Sequence, residues 1–74
     1  MYYVFENQKR ADGVVNTTTT GRSTFASALS YYHERYSKMV MNTEFVWVSL
    51  MLCDEELNVA EQAKVDTLYQ SEEA

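Results

Sequence analysis

Proline is absent from the 74 residues, glycine occurs twice, and cysteine, histidine and tryptophan occur once each. Each scarcity excludes something. With Cys53 alone there is no intrachain disulfide, and with His33 as its only companion a zinc or iron–sulfur site built within one chain is not expected. No proline means no cis prolyl bond and no rigid Pro-rich linker. Basic residues are few, 6 against 11 acidic ones, for a net charge of −5. That balance disfavours direct binding to a nucleic-acid backbone and fits a solvated surface or an acidic patch meeting a basic partner. The start, Met1 to Glu6, has neither a basic leader nor a long apolar core, so no signal peptide is expected. Together with the lone cysteine, this points to a reducing, cytoplasmic setting.

What is present is organised around Thr43 to Cys53, the most apolar run in the chain. As a strand it carries Val46, Val48, Leu50 and Leu52 on one face and Phe45, Trp47, Ser49, Met51 and Cys53 on the other. Neither face is polar, so both want cover. About ten residues is too short for a membrane-spanning helix, so no membrane partner is expected.

Before it, Tyr2 to Lys9 reads as a strand, Asp12-Gly13 as a hairpin turn, and Val14 to Thr20 as a second, threonine-rich strand near an edge. Ser23 is the expected N-cap of a helix from Thr24 to about Met41. On that helix Phe25, Ala28, Leu29, Tyr32, Tyr36, Met39 and Val40 recur at three- and four-residue steps. Asn42-Thr43 connects to the central strand, and Asp54-Glu55-Glu56 marks the turn that follows it. Residues 57–69 read two ways. As a strand, Val59, Ala63, Val65, Thr67 and Tyr69 share a face interrupted by Glu61; as a helix, Leu57, Ala60, Glu61, Lys64, Val65 and Leu68 align, with Asp54 as cap. The strand reading gives one α+β domain over residues 1–70, ββαββ, with one helix on one face of an antiparallel sheet and an acidic tail at 71–74.

One helix of about 27 Å covers one sheet face and no more. The other face needs a partner, and a chain this small gains from one: scaling suggests that only about 60% of its unfolded surface is buried on folding. A homodimer or higher oligomer is therefore expected, with Phe45, Trp47 and Met51 as its interface if the helix covers the valine and leucine face, and with that face open instead if the helix covers Trp47. No catalytic set is legible. His33 and Glu34 are adjacent, so on a helix they do not face one way. Gly21-Arg22-Ser23-Thr24 at a helix start lacks the length and lysine of a phosphate loop. Tyr31 and Arg35, four apart, with Arg22 offer a second possibility, a stacking site for a phosphorylated small molecule. No cofactor is implied.

The opening Met1 to Glu6, the Thr17–Thr20 strand, the helix stretch Ala28 to His33 and the strand ending in an acidic turn at Val46 to Glu56 resemble a group of short proteins encoded by phages and mobile elements of Gram-positive gut bacteria. The resemblance implies a phage-type accessory protein of the host cytoplasm that binds and blocks a host factor, anti-phage defence included. The turn departs from the pattern, having no glycine in Asp54 to Asn58.

Overall fold

The computed structural model describes residues 1–42 and 44–66. Five elements follow in order: β1 (Tyr2–Lys9), β2 (Val15–Arg22), α1 (Phe25–Met39), β3 (Trp47–Asp54) and β4 (Val59–Asp66). The strands form one sheet in the order β2-β1-β3-β4, antiparallel throughout. The chain is thus the small ββαββ domain that the alternation predicts. The expected tail at 71–74, and Thr67 and Tyr69 of the last segment, lie outside the described residues.

The hairpin turn forms where Asp-Gly predicts it. Gly13 has φ 94°, Arg10 N–H donates to the Val14 carbonyl at 2.8 Å, and the Asp12 carboxylate accepts from Val14 N–H at 3.0 Å. Pairing then runs on to Tyr2 opposite Arg22, past the expected end of β2 at Thr20. The chain therefore leaves the sheet later than its sequence suggests. The N-cap is Thr24, not Ser23: its backbone is extended and its hydroxyl accepts from Ser27 N–H at 3.1 Å.

α1 ends at Met39, two residues short of the expected limit, because the side chain of Asn42 builds the next loop. That buried amide donates to the Phe45 carbonyl at 2.8 Å and accepts from the N–H groups of Glu44 and Phe45 at 3.0 and 2.9 Å. Phe45 and Val46 thus belong to the connection, and β3 starts at Trp47 rather than Thr43.

The helix settles which face of β3 is covered. Val48, Leu50 and Leu52 are buried with Val4 beneath Ala28, Tyr32 and Met39, and no member of this cluster is more than 4% exposed. Each aliphatic chain so placed contributes roughly 1.5–3 kcal/mol. Val46, expected on the same face, is 41% exposed because it precedes the strand. Among the described residues no helix is long and apolar enough to cross a membrane.

The ambiguous last segment is a strand, and its turn explains how one forms without glycine. The Asp54 carboxylate accepts from the N–H groups of Glu56 and Asn58, both at 2.9 Å, and from the Asn58 amide at 3.2 Å. Leu57, held between them, adopts φ 66°, a left-handed conformation that costs a branched side chain roughly 1–2 kcal/mol. Its side chain is 66% exposed, so it returns little by packing. Leu57→Gly is expected to raise stability by about 1 kcal/mol in urea unfolding. No change, or a loss, would mean that the Leu57 side chain stabilises the turn.

Beyond that turn, Val59 pairs with Cys53 and Glu61 with Leu52. Ala60 is therefore an extra residue, a bulge that moves Val59 off the face of Ala63 and Val65 and onto that of Cys53.

Candidate interaction surfaces

The sheet side away from the helix is assembled from the odd-numbered residues of β1 to β3 and the residues paired with them. Across it run Tyr3 beside Cys53, Phe5 beside Met51, Asn7 beside Ser49, and Lys9 beside Trp47. β2 adds Val15, Thr17 and Thr19; β4 adds Val59, Gln62, Lys64 and Asp66. No described element packs over these side chains. Tyr3, Phe5, Trp47 and Met51 are half-buried, and Val15 and Val59 are exposed. The rings of Tyr3 and Phe5 lie 6.3 Å apart, and the Lys64 ammonium sits 5.0 Å above the indole of Trp47. Thr17, Asn7 and Ser49 form a hydrogen-bonded amide–hydroxyl row through the middle, at 2.7 and 3.3 Å. The strands place one carboxylate here, Asp66, with Lys9 and Lys64. In a chain of net charge −5 this face is close to neutral.

Of the three interface candidates, the structure brings Trp47 and Met51 onto this face and separates Phe45 from them. Phe45 packs against the helix-side cluster, because the Asn42 loop turns the chain before the strand begins. Tyr3 and Phe5 take its place beside Met51. Strand parity marks the pair as sharing one face of β1, but which face meets β3's open side is a matter of register between strands far apart in sequence.

Of the ligand candidates, Arg22 and Tyr31 meet. The guanidinium lies 4.8 Å from the ring centroid, and the Thr20 hydroxyl donates to the Tyr31 hydroxyl at 3.3 Å. Arg35 is committed elsewhere. It forms a two-pronged ion pair with Glu6, Nε to Oε1 at 2.8 Å and Nη2 to Oε2 at 2.9 Å, and Gln8 adds a third hydrogen bond at 2.8 Å. Glu6 is only 7% exposed. Burial pushes its carboxyl up, but the hydrogen bonds from Arg35 and Gln8 and the Arg35 charge outweigh this and hold it below the usual 4.5. The pair escapes a reading by motif because its members are 29 residues apart. One signal was present: Glu6 shares strand parity with Val4, and an inward acid requires a cation.

A cleft of about 190 Å³ lies beside this pair at the end of α1, lined by Glu6, Gln8, Arg35, Lys38, Asn42 and Phe45 among others. Cys53 is buried, which pushes its thiol above the ordinary value, with the Asp54 charge adding to the effect. A thiol so placed is not activated as a nucleophile. Among the described residues no three His, Cys, Asp or Glu side chains are grouped to hold a metal ion.

Comparison with known protein families, curated proteins and solved structures finds no match to this chain.

Proposed function

We propose that the chain is a small non-enzymatic interaction protein that pairs with a second copy through its open sheet face and, in that form, binds and inhibits a host protein. The observation that carries this reading is the sheet face bearing Tyr3, Phe5, Trp47 and Met51, which no other element among the described residues covers. A second copy fits that face for two reasons. Its near-neutrality lets two identical surfaces meet with little like-charge repulsion. Its size also suffices. Four eight-residue strands outline about 500 Å². A pair therefore covers about 1,000 Å², the lower limit of a specific interface. The acidic groups lie mainly off this face, at Asp54, Glu55, Glu56, Glu34 and Glu44, and are left to meet a basic host surface. A phage-type accessory role, in which such a protein blocks a defence factor of the host cytoplasm, is consistent with this arrangement.

The test is capture from a host lysate with tagged wild type beside a folded charge-reduced chain, Glu55→Gln/Glu56→Gln. The expected result is one protein retained by the wild type and at least about tenfold depleted with the variant. Equal retention by both, or none by either, contradicts the inhibitor reading.

A ligand-sequestering module is the second reading, favoured by the contact of Arg22 with Tyr31. It is the weaker one, since Arg35 would have to leave Glu6 buried and unpaired to reach a phosphate.

A further inference from the structure

α1 lies over β3 and β1 and reaches β2, which leaves a groove between the helix and β4. The groove has a volume of about 240 Å³ and is lined by Tyr32, His33, Tyr36, Glu61, Gln62 and Ala63. Tyr32 and Tyr36, one helical turn apart, stack with centroids 6.4 Å apart and planes at 9°. Tyr32 is 4% exposed and Tyr36 is 39% exposed, so the outer ring of the stack offers an open aromatic surface.

Glu61 stands on the helix side of β4, because it pairs with the buried Leu52. On that side the neighbouring positions Ala63 and Val65 are apolar and packed on the core. Glu61 itself is exposed at the open end of this row, so its carboxylate stands in water at the mouth of the groove, free to meet an incoming cation. Among the described residues neither the Glu61 carboxylate nor the Tyr32 hydroxyl has a hydrogen-bond or ion-pair partner. Burial pushes the Tyr32 phenol above its ordinary value, and the nearby Glu61 and Tyr36 charges push it further. No lysine or arginine lines the groove, and His33 is its one basic side chain.

We propose that this groove receives an arginine side chain of a protein partner, its guanidinium stacking on Tyr36 and pairing with Glu61. A planar cation takes both contacts at once, one through its face and one through its edge. The groove is smaller than the roughly 300–1,000 Å³ of sites for drug-sized ligands and suits a single side chain. The chain's charge of −5 favours encounter with a basic segment. The site lies on the opposite side of the sheet from Trp47, so it stands or falls independently of the sheet-face reading.

The test is an amide NMR titration of the full chain with the capped peptide Ac-Gly-Arg-Gly-NH2 and its citrulline analogue, which keeps the shape and removes the charge. The arginine peptide is expected to shift the amides of His33, Tyr36, Glu61 and Ala63 saturably, with a dissociation constant of about 1 mM. Glu61→Gln, which preserves the side chain's shape, is expected to weaken binding about tenfold. Tyr36→Ala should do the same with the spectrum otherwise intact. Equal binding of the citrulline peptide, an unchanged constant in Glu61→Gln, or shifts at Asp12 and Glu55 with silent groove amides would overturn the proposal. So would groove shifts on simple dilution of the free protein, which would place a second copy there.

Discussion

Arg35→Ala is expected to cost about 3 kcal/mol at pH 7, measured by urea unfolding, with the penalty shrinking as the pH falls towards 4. The reason is the charge it strands. In the wild type Glu6 keeps three hydrogen bonds to its carboxylate and titrates below 4.5. Its contribution is fully present above the unfolded-state value and is lost as pH falls through the folded one. Without Arg35 the largest opposing influence, burial, prevails and the carboxyl shifts above its ordinary value. The folded variant then binds a proton more readily than the unfolded chain, so this group favours folding at low pH and opposes it as pH rises. A domain of this size has roughly 4–11 kcal/mol in total, so the loss at pH 7 is a large share. Replacing both partners with leucine is expected to restore stability to within about 1 kcal/mol, since the desolvation cost disappears with the pair. A penalty that is the same at pH 4 and pH 7 would show that Arg35 acts through packing alone.

Trp47→Glu is expected to weaken self-association at least about 100-fold while leaving the fold intact. In the isolated chain the substitution is tolerable. Trp47 is half-exposed, away from the helix-side cluster, and its surroundings hold two cations, Lys64 above it and Lys9 across the strand, against one carboxylate, Asp66, opposite it on β4. Either can pair with a new carboxylate in water. In a face-to-face pair the same carboxylate is desolvated against Phe5, Met51 and their copies, where an unpaired charge costs several kcal/mol. The helix side of the sheet gives the contrast: a charge at Leu50 or Leu52 would unfold the chain rather than dissociate it.

Much of this arrangement was legible in the sequence, for local reasons. β1 has the bounds its aromatic alternation predicts, the hairpin turns at Asp12-Gly13, and the alternation of β3 separates Leu50 and Leu52 from Trp47 and Met51. What escaped depends on contacts between distant segments. Phe45 and Val46 continue the apolar run, so periodicity extends the strand through them; only the folded position of Asn42 turns them into a loop. Ser23 and Thr24 are chemically equivalent caps, and the choice is made by β2 pairing as far as Arg22. The last segment is the strand that the ββαββ reading takes it for, although it also has helical propensity and no glycine at its turn, because pairing with β3 and the Asp54 network override both. The bulge at Ala60 then redistributes its side chains in a way no fixed period anticipates. Arg35 illustrates the same limit at the candidate site. Spacing groups it with Tyr31 as a ligand contact, whereas the sheet presents Glu6 to it first.

The central claim is that the face bearing Tyr3, Phe5, Trp47 and Met51 is an interface between two copies. Light scattering after gel filtration, on wild type and Trp47→Glu at equal concentration, tests it most directly. The mass expected for the wild type is twice that of the 8.6 kDa chain. For the variant it is the single-chain mass, with an unchanged far-ultraviolet spectrum. A wild type that elutes as a stable 8.6 kDa monomer at every concentration tried would contradict the claim.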